Sequence, residues 1–219
     1  MVPPFPKRKA YNIVEPEIKW IPEDRQVSII QAIEPVHQPI FWWLKYHLRR
    51  PSEAMALHKE DWDGDIFTVR RSFSYKILMD RTKTGKVHHV PCHDEFRPVL
   101  SGMKKTFGPF FFENQASHKK GNHYTSVTMN RIWRRACLAV GEDIDLYSGL
   151  KHSSCSQYVN EKGLSLSELQ TITDHARADS VKRYAKVEIS ARKELMNRKV
   201  VNIKSGGSLV AQNDKVNHN

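Results

Sequence analysis

Apolar positions recur at helical spacing along much of the chain. Val27, Ile30 and Ile33 mark one face of a helix that opens at Pro22, Glu23 and Asp24 and stops before Pro35. Proline suits a first helical turn, acids suit the positive end of the helix dipole, and a later proline breaks the backbone ladder. A second, mostly buried helix is predicted over 36–48 around Ile40, Phe41, Trp43 and Leu44, with the Trp42–Trp43 pair read as core, and a third over 52–57 behind Pro51. The texture then changes. Residues 66–71, 73–78 and 87–90 read as strands, the last reached through the turn Thr82-Lys83-Thr84-Gly85-Lys86. Helical spacing returns over 94–105. Beyond a polar loop at 113–123 it continues with Met129, Ile132, Trp133, Ala136 and Val140 on one face. Further helices are predicted over 152–162, 165–173, 178–185 and 188–199. The fold class that follows is α+β, mainly helical, with one small antiparallel sheet.

Composition narrows the partners. The 219 residues carry 35 Lys and Arg against 24 Asp and Glu, a formal net charge of +11, which suits a polyanion or an anionic surface. Hydrophobic content of 39% is enough for a packed core. The longest apolar runs, 40–44 and 110–112, are far too short to cross a membrane, and no export signal opens the chain. Cys92, Cys137 and Cys155 are an odd number without metal-finger spacing, so they read as buried thiols in a reducing compartment. His88, His89 and His93 invite a metal reading. Alternate strand residues face opposite sides, however, and no metal site is expected there.

Three stretches carry a resemblance. Leu48-Arg49-Arg50-Pro51-Ser52-Glu53-Ala54-Met55-Ala56-Leu57 places an acid three residues after an arginine. Thr82-Lys83-Thr84-Gly85-Lys86 precedes Val90-Pro91. Thr173-Asp174-His175 is followed nine residues after the histidine by Tyr184, within Lys182-Arg183-Tyr184. In this order the stretches resemble the catalytic domain of the tyrosine recombinases, or phage integrases, over roughly residues 22–187. The resemblance implies that fold and a DNA-breaking and rejoining activity without metal or other cofactor. It implies Arg50, Lys83, His175 and Tyr184 as catalytic residues and Glu53 as a supporting acid. Arg49, Lys86, Lys182 and Arg183 are expected on DNA. One box departs from the family pattern. Where a histidine and a second arginine are usual, Ser148-Gly149-Leu150-Lys151-His152 places Ser148 and Lys151. Lys151 keeps the positive charge but not the planar two-pronged grip of a guanidinium on phosphate. Ser148 can donate a hydrogen bond but is no base near neutral pH. The chain is then either a working variant or a DNA-binding relative that has lost catalysis.

The chemistry of the set is that of phosphodiester exchange. Cations at Arg50 and Lys151, with a hydrogen bond from His175, neutralise charge that grows on the phosphate oxygens in the transition state. Tyr184 is the nucleophile of a covalent DNA–protein link, and Lys83 the acid that protonates the departing 5′ oxygen. Each group also has a plain structural reading. Arg50 and Glu53 suit a helix end, Lys83 a turn with Lys86 as its competitor, Ser148 and Lys151 a helix start, His175 a helix cap, and Tyr184 a half-buried core site. Tyr158 comes too early in the motif order to be the nucleophile. A type IB topoisomerase would use the same chemistry but fits the motif texture less well.

The expected organisation is a basic lead-in over 1–21, a catalytic domain over 22–187, a basic segment over 188–204 and a disordered tail over 205–219. From Val181 to Lys204 there are eight Lys and Arg against two Glu. That segment reads as a solvated basic helix, a phosphate contact, or a piece docked on a neighbouring protomer. An N-terminal DNA-clamping domain, usual in the family, is expected to be missing from the chain. The expected partners are double-stranded DNA and further copies of the chain, a tetramer on DNA and a monomer alone, with no membrane. The expected location is the cytoplasm, at the nucleoid of a bacterium or as a phage product.

Overall fold

The computed structural model describes residues 18–115 and 122–173, together with Val181 and Tyr184. Helix α1 (Glu23–Gln31) follows Pro22, with Glu23 and Asp24 in its first turn. Its inward residues are Gln26, Ile29 and Ile30, while Val27 is only half-buried. A polar amide therefore occupies the core-facing position expected for an apolar one. The helix also ends at Gln31, before Pro35, and Ile33 packs into the core from the turn that follows. The segment expected as an extended lead-in is packed at its end: Ile21 N–H donates to Ser153 Oγ at 3.0 Å and its carbonyl accepts from Gln157 at 2.9 Å.

Helix α2 (Gln38–His47) buries Ile40, Phe41, Trp43 and Leu44 and closes at Leu48, whose φ of 54° turns the chain sharply. Helix α3 (Pro51–Ala54) is shorter than predicted. Pro51 fixes its first position, and the Glu53 carboxylate reaches back to the Arg50 N–H at 3.0 Å. A 3-10 turn (Lys59–Asp61) leads into the strands. There the buried Asp61 carboxylate takes Arg70 and Arg71, each at 2.8 Å.

Among the described residues two separate antiparallel pairs take the place of a single sheet. Strand β1 (Ile66–Val69) pairs with β4 (His88–Pro91), setting Phe67 opposite Val90. Strands β2 (Ser72–Ser74) and β3 (Ile77–Met79) form a separate hairpin. The stretch 73–78, expected as one strand, contains the hairpin bend, because Tyr75 and Lys76 both adopt positive φ. Two-residue bends of this hand suit the strand twist, but they usually announce themselves with Asn or Gly.

The stretch expected as a helix over 94–105 is a 3-10 turn (Asp94–Phe96) running into α4 (Arg97–Ser101). Helix α5 (Ser126–Val140) is capped by the Thr125 hydroxyl at its start and by Gly141, φ 74°, at its end. Next comes a widened π turn (Ser148–His152), continuous with α6 (Ser153–Asn160), and then α7 (Leu166–Thr173). The main core joins α1, α2 and α5 with β1 and β4. A second cluster contains Leu48, Cys155, Leu169, Val181 and Tyr184. Apart from Val181 and Tyr184, the helices expected over 178–185 and 188–199 lie outside the described residues, as does the tail.

Candidate active site

The π turn is held in place from two sides. A Cβ on Gly149 would stand 2.3 Å from Trp133 Cζ2, so only glycine lets the turn lie against that indole. Trp133 is in turn anchored by its N–H to the Ile144 carbonyl at 2.9 Å. On the other side the buried Gln26 amide donates to the carbonyls of Gly149 at 2.8 Å and Leu150 at 3.2 Å and meets the Ser154 hydroxyl at 3.0 Å. The Asp145 carboxylate accepts the backbone N–H groups of Tyr147 and Ser148, each at 2.9 Å, and the Ser148 hydroxyl also bonds to it. π turns inside helices often mark functional sites.

Lys151 hangs from this turn into the interior, with 2% of its surface exposed. Burial, the largest influence, lowers its pKa to about 8. The charges of Arg50 and Arg49 act in the same direction, while Cys155 and Glu53 oppose them. Arg50 comes from the start of α3. Its guanidinium pairs with Glu53 at 2.9 Å, and the Tyr147 hydroxyl lies against it on another side. Burial opposes the Arg50 charge, but Glu53 and then Tyr147 outweigh it and hold the group above its ordinary range. The Arg50 side chain stays 23% exposed, so it can still meet a ligand.

Tyr184 is 5% exposed. Its carbonyl accepts from Asn160 at 3.1 Å, its ring lies 5.8 Å from that of His152, and its hydroxyl lies against the Cys155 thiol. Cys155, fully buried with its pKa pushed up to about 11 by burial, also interacts with Lys151. Arg50, Glu53, Lys151 and Tyr184 thus belong to one neighbourhood.

Of the other expected site residues, Arg49 also reaches this neighbourhood through its charge on Lys151 and Cys155, and several lie outside the described residues. Lys83 and Lys86 are exposed on the turn before β4. Arg49 is an interior residue, 4% exposed, donating to the Ile172 carbonyl at 2.9 Å, so a phosphate contact by it requires the side chain to leave the interior. His175, Lys182 and Arg183 lie outside the described residues. Among the described residues no three His, Cys, Asp or Glu are grouped to hold a metal, and no helix is long and apolar enough to cross a membrane. His88 is buried and His89 exposed, on opposite faces of β4. Tyr147 and Gln26 were not singled out in the sequence. Only the shared spacing of Tyr147 with the variant box could have pointed to the first, and no local pattern distinguishes the second.

Residues 19–190 match the model of the phage integrase family. No curated protein matches the chain. Among solved structures, XerA recombinase superposes with a TM-score of 0.62 at 20% identity over 83% of this chain and 63% of its own. The Tn1549 transposon integrase in complex with transposon right end DNA gives 0.62 at 20% over 84% and 66%. The catalytic domain of bacteriophage HP1 integrase gives 0.55 at 17% over 83% and 95%. The chain therefore spans just under two thirds of the XerA and Tn1549 chains and nearly all of the HP1 catalytic domain, and it shares their fold.

Proposed function

Because the chain belongs to the phage integrase family, we propose that it is a site-specific DNA recombinase that cuts and rejoins DNA through a 3′-phosphotyrosyl intermediate. The observation that carries this reading is the electrostatic neighbourhood of Arg50 and Lys151, brought together from distant stretches, with Tyr184 joined to it through Cys155. In the proposed reaction Arg50 and Lys151 bind the scissile phosphate and Glu53 holds the Arg50 fork in orientation. The Tyr184 hydroxyl gives up its proton to solvent and its oxygen attacks phosphorus, forming the phosphotyrosyl bond as the bond to the 5′ oxygen breaks. Lys83 gives its proton to that oxygen, and His175 donates a further hydrogen bond. The 5′ hydroxyl of another strand then attacks the link, releases Tyr184 and reseals the DNA. Bond energy is kept in the covalent link, so the exchange is balanced without a cofactor.

Lys83 stands on an exposed turn, so in this reading the turn folds over the bound DNA. Ser148 contributes by ordering the π turn through Asp145. Lys86, Lys182 and Arg183 contact the backbone of double-stranded DNA, and Arg49 joins them only if it leaves the interior. The chain acts as a tetramer on DNA and as a monomer alone, in a bacterial cytoplasm. The Tn1549 integrase structure contains DNA, which supports the partner class.

A second reading follows from the variant box: a DNA-binding relative without catalysis, favoured by a buried lysine in place of the second arginine. Incubation with a nicked suicide duplex separates the two. A covalent protein–DNA adduct that Tyr184→Phe abolishes supports the recombinase. Salt-sensitive DNA binding with no adduct, even with a clamping domain supplied, supports the second reading.

A further inference from the structure

The variant box lacks the histidine usual in the family, and with it an imidazole N–H that could donate a hydrogen bond. The serine in its place has its hydroxyl engaged with the Asp145 carboxylate. The adjacent residue is differently placed. The Tyr147 hydroxyl lies against the Arg50 guanidinium, its backbone N–H is held by Asp145 at 2.9 Å, and its ring packs edge-on against His152 with centroids 4.7 Å apart. A guanidinium has only donors, so toward Arg50 the phenol oxygen must accept. Its single proton is left for a third group. An anion gripped by Arg50 would present acceptor oxygens beside that proton. Burial raises the pKa of the phenol despite the opposing Arg50 charge, which keeps the proton in place at neutral pH.

We propose that Tyr147 is a further catalytic residue, donating its hydroxyl proton in a hydrogen bond to a non-bridging oxygen of the phosphate that Arg50 binds, in the role vacated at Ser148. The inference rests on the recombinase reading and concerns the same site. Tyr147 is a phosphate ligand here and Tyr184 remains the nucleophile.

The test is single-turnover cleavage of the nicked suicide duplex by wild type and Tyr147→Phe, with DNA affinity measured in parallel. Loss of one preorganised donor costs on the order of 100-fold in rate, and affinity is expected to stay within about threefold because the cations supply most of it. Adding Ser148→His to the Tyr147→Phe protein is expected to restore at least about tenfold of the rate, as a replacement donor would. Placing 3,5-difluorotyrosine at position 147 keeps the shape and makes the phenol more acidic. Read in a Lys151→Arg background, where that position does not titrate near pH 8, the alkaline limb of the rate profile is then expected to move to lower pH, which a merely structural role would not produce. This protein carries the test alone if Tyr147→Phe does not fold. Cleavage by Tyr147→Phe within about twofold of wild type, or a difluorotyrosine profile that overlays its Lys151→Arg parent, overturns the inference and leaves the recombinase reading standing. A wild-type chain that forms no adduct overturns both.

Discussion

Replacing Lys151 with methionine should make the protein more stable at neutral pH, and this gain should disappear in alkali. The Lys151 ammonium is almost fully buried, and burial lowers its pKa from 10.5 to about 8. At 1.36 kcal/mol per pH unit, keeping it charged in the folded protein at pH 7 costs about 3 kcal/mol relative to water. The sign follows from proton counting. Between pH 8 and 10.5 the unfolded chain holds more protons at this position than the folded one, so wild-type stability rises with pH across that window and is flat below it. Methionine has similar length and no charge. Lys151→Met is therefore expected to exceed wild type by up to about 3 kcal/mol at pH 7 and to converge with it near pH 10.5. Urea unfolding of both proteins at pH 7, 8, 9 and 10 measures this directly. A variant less stable than wild type at pH 7, or a difference that does not change with pH, refutes the reasoning. A stable Lys151→Met protein should also lose cleavage, because the group that destabilises the free fold is the one proposed to meet the phosphate.

Three further outcomes follow from the same geometry. Gly149→Ala forces a methyl to within 2.3 Å of the Trp133 indole, so it should cost about 1–3 kcal/mol in urea unfolding and reduce cleavage further by displacing Lys151. Gln26→Leu removes the amide that bonds the Gly149 and Leu150 carbonyls. A loss of about 2–3 kcal/mol is expected in urea unfolding, with cleavage again more sensitive than folding. DNA affinity at constant salt should weaken as pH rises from 7 to 9, because the Lys151 charge is lost near 8. Lys151→Arg should flatten that dependence, since a guanidinium stays protonated.

The parts that sequence made legible are those whose signal is local. Helix α5 was readable because Met129, Trp133 and Ala136 repeat at helical spacing. The pairing of Arg50 with Glu53 was legible only through the family resemblance, and the structure adds that the Glu53 carboxylate also reaches back to the Arg50 N–H. The β2–β3 bend was hidden because Tyr75 and Lys76 are not the residues such bends usually employ. The first helix misled because Gln26, a polar residue, takes the buried place beside the π turn, and its partners lie more than a hundred positions away. Arg49 and Arg50 are chemically identical neighbours. Only the packed structure separates the buried one, bound to the Ile172 carbonyl, from the one that keeps an exposed face. The π turn has no spacing signature at all, because its widening depends on contacts from α1 and α5.

The most direct measurement is mass spectrometry of the peptide that remains attached to DNA after incubation with a nicked suicide duplex and protease digestion. The phosphate is expected on the Tyr184 oxygen, with no linked peptide from Tyr184→Phe. Attachment at Tyr147, at Tyr158 or at any residue other than Tyr184, or no attachment by the wild-type chain, would contradict the proposed chemistry.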